Sequence, residues 1–131
     1  MHPNFNVIRS YSLSYLATPY SKYVYGNDMS FVHSSIITGQ LLKDGVQRVF
    51  SPIVHCHPIA QYAGINRLDN NIWMNRDGLL YAMMEKSDAL LVAQLPGWQD
   101  SVGVGKEIKF FEKSNKPIHY LPEEYCVSAL F

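Results

Sequence analysis

Ser101, Gly103, Gly105 and Glu107 alternate through Ser101-Val102-Gly103-Val104-Gly105-Lys106-Glu107, a set of residue types suited to holding an anion and acting on what it carries. The stretch follows the apolar run Ala89-Leu90-Leu91-Val92-Ala93 and opens a helical pattern, so it reads as strand, loop and helix start. A hydroxyl and bare glycine backbone at a helix N-terminus offer unpaired N–H donors and the positive end of the macrodipole. That is a seat for phosphate. Glu107 falls one turn into the helix, where its carboxylate can face whatever the seat holds. Taken alone, the same glutamate reads more readily as a solvated position on a helix that favours it, and the flanking serine and glycines reverse that preference.

The segment from Leu95-Pro96-Gly97-Trp98 through Ser101-x-Gly103-x-Gly105-x-Glu107 resembles the nucleoside 2-deoxyribosyltransferase superfamily, which includes the deoxynucleoside 5′-monophosphate N-glycosidases. The Leu-Pro-Gly-Trp lead-in is most similar to a set of small bacterial and phage domains within it, and the resemblance runs from about Ser14 to Leu121. It implies that Glu107 attacks the anomeric carbon of a sugar, because an oxocarbenium-like transition state wants a carboxylate against one face of the ring. Water or a second base would then resolve the glycosyl-enzyme.

The resemblance also implies that Asp77, in Trp73-x-x-x-Asp77, hydrogen-bonds or protonates the departing base, with Asp69 as the fallback if the helix register differs. Tyr15 matches a tyrosine that steadies the nucleophilic carboxylate, although a strand tyrosine is as often core. Ser101 matches the phosphate-contacting serine of the monophosphate glycosidases. Transferases that take unphosphorylated nucleosides place an acidic residue near there, and Asp100 stands next to Ser101. The substrate-binding set is completed by Gly103 and Gly105, by Thr18, Pro19, Tyr20 and Ser21 after the first strand, by Trp98 and by His55. Tyr20 is a candidate for the base pocket, and Ser21, Lys22 and Arg76 for supplementary contacts. Trp98 either stacks on a base or packs under its loop.

Other chemistries fit less well. Alternate residues of His55-Cys56-His57 would share a side of an extended segment, but no further ligand pair accompanies them and structural zinc needs four ligands, so no metal is expected. Gly103-Val104-Gly105-Lys106 lacks the spacing of a P-loop and its hydroxyl residue after the lysine, and Ile108 occupies the third glycine position of a dinucleotide fingerprint. No cofactor is expected. A flavin carrier would need flavin-site aromatics that the sequence does not display.

The elements that must position these residues alternate. Ser14-Tyr15-Leu16-Ala17 is a strand that ends at Pro19. A helix over 29–43 follows, with Asp28 as its N-cap and Gly45 beyond its end. Arg48 to Ser51 is a second strand stopped by Pro52, and 52–66 reads as a long loop with a turn or two of helix. Asp69 to Lys86 reads as one helix weakened by Gly78. Asp88 to Leu95 is a strand apolar enough to be covered on both faces. A helix over Val104 to Ser114, a strand over Lys116 to Leu121 and a tail over Pro122 to Phe131 complete the chain, with Met1 to Ser12 as an arm.

Alternating strands and helices imply crossovers, hence a parallel sheet clothed on both faces. The expectation is α/β: a flavodoxin-like or Rossmann-like three-layer sandwich with a mainly parallel sheet of four to five strands. With 131 residues, 47% of them hydrophobic, 1–131 forms a single domain. Eleven basic and eleven acidic residues leave no net field to attract a nucleic acid polymer or a membrane surface. Met1 to Ser12 has no apolar block typical of a secretory leader, no run is long enough to span a bilayer, and Cys56 and Cys126 read as reduced thiols. A cytoplasmic location is expected.

The expected activity is cleavage or transfer at the N-glycosidic bond of a (deoxy)nucleoside 5′-monophosphate, the partner being a small nucleotide or nucleoside. The alternative is a nucleotide-binding or sensing module on the same fold without turnover. The resemblance implies a homo-oligomer, with which the apolar end Ala129-Leu130-Phe131 and the Met83-Met84 pair are compatible.

Overall fold

The computed structural model describes residues 5–131. Four strands, β1 (Ser14–Ala17), β2 (Val49–Phe50), β3 (Ala89–Ala93) and β4 (Ile118–Leu121), form an all-parallel sheet in the order β2-β1-β3-β4. Ser14 pairs with Ala89 and Ala17 with Val92, while Leu90 pairs with Ile118 and Ala93 with Leu121. Every residue of β1 and of β3 is buried, as parallel strands covered on both faces require.

The helices among the described residues are α1 (Phe5–Arg9), α2 (Asn27–Lys43), α3 (Pro52–Ala63), α4 (Asn70–Trp73), α5 (Leu79–Lys86), α6 (Val102–Lys113) and α7 (Glu123–Leu130). Side chains alternate across the sheet and divide the core in two. Leu16, Leu91 and Ala93 join Ile8 of α1, Ile37 and Leu41 of α2, and Tyr125 and Cys126 of α7. Tyr15, Ala17, Leu90 and Val92 join Met84 of α5 and Val104 and Phe111 of α6. Helix, sheet and helix make three layers, so the fold is a flavodoxin-like and Rossmann-like α/β sandwich with four strands. Strand order reverses between β1 and β3, where ligands bind in such sheets.

Several expected boundaries move. The loop expected after β2 is the twelve-residue α3. Ser51 caps it by accepting from Val54 N, Pro52 takes a first-turn position that needs no N–H, and Gly64 ends it in the left-handed conformation at φ 68°. Pro58 lies inside that helix rather than ending it.

The single helix expected over 69–86 is two, α4 and α5. Asn75 breaks it: its Oδ1 accepts from Asp77 N at 2.9 Å and its carbonyl from Gly78 N at 2.8 Å, a side-chain turn that competes with helix. The tail is α7, with Glu123 and Glu124 in its first turn. The arm contains α1, which buries Ile8; the expectation for 1–4 lies outside the described residues. Gly26, not Asp28, occupies the N-cap of α2, and Asp28 falls in its first turn. Met84 and Leu130 belong to the core or pack against it, whereas Phe131 is exposed.

Candidate functional site

The first half of α2 buries hydroxyls and an imidazole instead of alkyl groups. Ser30 Oγ donates to the Pro19 carbonyl at 2.6 Å, Thr18 Oγ1 and Ser34 Oγ share a bond at 2.8 Å, and Tyr23 Oη pairs with His33 Nδ1 at 2.9 Å. These three contacts fasten the loop that leaves β1, because a buried polar group without a partner is expensive. Tyr20 sits in the middle of that loop.

At the other side of the strand reversal, Gly97 turns the chain in the left-handed region at φ 82° and Ser101 caps α6 by accepting from Val104 N at 3.3 Å. The Ser101 O–H proton remains available for a ligand, and helix geometry leaves the N–H groups of Val102 and Gly103 without intrahelical partners. Neither Gly103 nor Gly105 has a positive φ, and a Cβ at either would meet nothing within 4 Å. Close backbone approach by a ligand, not strain, is the physical use left for a glycine at 103.

Between these two regions lies a cavity of about 340 Å³ at the C-terminal ends of β1, β2 and β3. Of the expected residues, Tyr15, Thr18, Tyr20, Ser21, Ser101, Gly103 and Glu107 line it. The Glu107 stem is partly exposed, while its carboxyl is enclosed by protein and pushed up to about 8 by that burial, against a smaller opposing effect of a hydrogen bond with Tyr15. The Tyr15 phenol is pushed far above its ordinary range, first by burial and then by the Glu107 charge. The acid and the phenol thus lie beside one another at the edge of the core.

The structure places Asp77, Pro19, Gly105, Trp98 and His55 outside the cavity wall. Asp77 is exposed in the turn between α4 and α5, where Asn75 holds its backbone, and Asp69 is used as the N-cap of α4, accepting from Asn71 N. Pro19 is buried behind the wall with its carbonyl taken by Ser30. Trp98 packs against Tyr120 with ring centroids 5.6 Å apart and joins the α6 core, so it lies under its loop. His55 is exposed beside Phe50, since a helix sends adjacent residues in different directions, and Arg76 lies over the Tyr81 ring.

The wall also contains residues that the sequence left unassigned. His57 and Cys56 of α3, Arg67, Trp73 of α4 and Lys106 of α6 are among them, with Ile53, Ala60, Leu68, Met74 and Leu80 supplying apolar surface. Burial raises the Cys56 thiol to about 11, so it stays protonated near neutrality. His57 is buried at 7% exposure; its Nδ1 lies 2.7 Å from Tyr20 Oη, its Nε2 lies 3.2 Å from Asp28 Oδ1, and Phe31 stacks on its ring. With its amide oriented to satisfy both ends, Asn27 donates to the Tyr20 carbonyl at 2.8 Å and accepts from Arg67 Nε and Nη2 at 2.5 and 2.9 Å. The Ser-Pro start and the glycine end of α3 were visible signals for placing His57.

Among the described residues no group of three or more His, Cys, Asp or Glu side chains converges as a metal site, and no helix is long and apolar enough to cross a membrane. The chemistry present is one desolvated carboxyl, a phenol beside it, a helix start with free N–H donors, two cations and an apolar floor. Compared with curated proteins, the chain matches none. A family model described as a domain of unknown function, DUF1937, matches residues 12–123, a span that contains all four strands and the whole cavity wall, and the chain belongs to that family.

Proposed function

We propose that the protein cleaves or transfers at the N-glycosidic bond of a nucleotide or nucleoside, best a (deoxy)nucleoside 5′-monophosphate, with Glu107 as nucleophile. The observation that carries this reading is the Glu107 carboxyl withdrawn into the cavity wall beside Tyr15, in the second turn after the Ser101 helix start. Ser101 O–H and the N–H groups of Val102 and Gly103 suit a phosphate, and Lys106 and Arg67 add charge without a net field over the molecule. Trp73, Leu68, Met74 and Leu80 suit the flat faces of a base. The volume is at the lower end for small-molecule sites, which range from about 300 to 1,000 Å³. The resemblance of the Ser-x-Gly-x-Gly-x-Glu segment to the deoxyribosyltransferase superfamily points the same way.

With its carboxyl raised to about 8, Glu107 is mostly protonated at neutral pH when no substrate charge acts on it. Positive charge building at the anomeric carbon favours the ionised form, so the poorly hydrated carboxylate meets the charge it stabilises. A second reading, a binding module without turnover, is supported by the position of Asp77 outside the wall. Incubation with deoxynucleoside 5′-monophosphates and the matching nucleosides, followed by chromatography for free base, separates them. Release that vanishes in Glu107→Gln supports the enzyme; binding without release supports the module.

A homo-oligomer and a cytoplasmic location belong to the same reading. Exposed Leu68 and Val102 at the cavity and Tyr62 on α3 support the first, and the free thiols of Cys56 and Cys126 the second. Light scattering that returns a strict monomer would remove the oligomer.

A further inference from the structure

We propose that Tyr20, His57 and Asp28 form a relay in which a proton of His57, held in place by Asp28, passes through Tyr20 to the departing base, Tyr20 being the group that meets the substrate. The inference rests on the N-glycosidic reading and supplies the acid that reading lacks once Asp77 lies outside the cavity.

The three side chains come from the β1 loop, α3 and α2, and their exposure runs in the order a relay needs. The Asp28 side chain is 92% exposed, that of His57 only 8%, and Tyr20 is half-buried in the cavity wall. Asp28 can only accept, so it fixes a proton on His57 Nε2, 3.2 Å away. In the neutral ring Nδ1 then accepts from Tyr20 Oη at 2.7 Å. Phe31 stacks on the imidazole with centroids 4.8 Å apart and holds its plane, and the Ser30 and Thr18 bonds hold the loop that carries Tyr20. The other titratable or charged groups acting on Tyr20 are Arg67 and Cys56. Burial and the Asp28 charge raise the Tyr20 phenol, with Arg67 opposing, so the hydroxyl keeps its proton until a base takes it.

The step balances as follows. Glu107 starts ionised and His57 starts protonated on both nitrogens, with Nε2–H donating to Asp28 and Nδ1–H to Tyr20 Oη. The C1′–N bond breaks and its electron pair passes to the base. The base takes the Tyr20 proton, Tyr20 oxygen takes the Nδ1 proton, and C1′ bonds to Glu107. His57 is left neutral. When water attacks C1′ and the bond to Glu107 breaks, the proton released by water returns to His57 through Tyr20. Tyr20 is thus a catalytic residue, while His57 and Asp28 act through it.

The test compares wild type with Tyr20→Phe, His57→Gln and Asp28→Asn on two kinds of deoxynucleotide. One carries an ordinary base that must gain a proton to leave; the other carries N7-methylated guanine, which departs neutral without one. Tyr20→Phe and His57→Gln are expected to slow the ordinary substrate about 100-fold, and Asp28→Asn about 10-fold, with the methylated substrate within about threefold of wild type. Equal slowing of both substrates would reduce the three residues to scaffolding and overturn the relay. Unchanged release from the ordinary substrate would overturn it while the N-glycosidic reading stands. No release of either base by wild type removes that reading, and the relay with it. Melting curves report whether each variant folds, and the exposed Asp28→Asn carries the comparison if a buried variant does not.

Discussion

The two sides of the cavity are built by different means. The α6 side is local: Ser101 caps a helix whose third residue is Val104, and Glu107 follows within the next turn. The α2 and α3 side is assembled from distant pairs, Thr18 with Ser34, Tyr20 with His57 and Asp28 with His57. Backbone amides and one carboxyl make the first; buried hydroxyls and imidazoles make the second. The contrast teaches that an anion seat needs only a helix start, whereas orienting a proton donor takes several elements whose contacts fix one another.

The sharpest break in that contrast is Glu107→Gln, expected to lower base release by roughly 10⁴-fold or more, as loss of a group acting at the reacting atoms does. The same change should make the protein more stable. The folded carboxyl titrates at about 8 against an ordinary 4.5, so between those values the unfolded chain has released a proton that the native chain keeps. Stability is therefore full below 4.5 and falls as pH rises through about 8. The melting temperature of the glutamine variant should pull ahead of wild type across that window, and parallel curves would show the carboxyl to be hydrated instead. Release of N7-methylated guanine, which draws no proton from the relay, should rise in kcat/KM over the same window if the ionised form is the nucleophile.

The long-range side is probed by Ser34→Ala. It leaves Thr18 Oγ1 buried without its partner, expected to cost about 1 to 3 kcal/mol in urea unfolding. Ser101→Ala, on the local side, removes a cap and should cost about 1 kcal/mol, with an added loss of affinity for phosphate-bearing ligands in calorimetry. The smallest effect separates the two glycines. Alanine at Gly105 or Gly103 should stabilise the α6 helix by about 0.5 to 1 kcal/mol, since both have room and ordinary φ. Only Gly103→Ala should weaken ligand binding, because only Gly103 lines the cavity. Equal binding by both variants would mean that no ligand approaches this backbone closely.

Strands were legible where a short apolar run meets a hard stop. Ser14–Ala17 is bounded by Pro19, and Ala89–Ala93 is continuous because both its faces are covered. The start of α6 was legible to within two residues for the same local reason. α3 was not, because Pro58 reads as a helix stop, while in the fold the turn around it continues from the Ser51 cap to Gly64. Reading Asp69 to Lys86 as one helix put Asp77 on a helical face; Asn75 bonds its own backbone and turns Asp77 out to solvent. The cavity residues Tyr15, Ser101 and Glu107 flank recognisable turns, whereas Arg67 sits in a segment without a chemical spacing of its own and His57 in one whose alternation suits an extended chain and not the helix it forms.

By itself the sequence determined the alternation of strands and helices, a helix start near Ser101 and a glutamate early in that helix, because capping, periodicity and proline act over a few residues. Only the tertiary structure decided that His57 meets Tyr20 across 37 positions and that Asp77 meets nothing in the cavity. Which distant polar groups become partners depends on how helices pack on the two faces of a sheet, and separation along the chain carries no record of that.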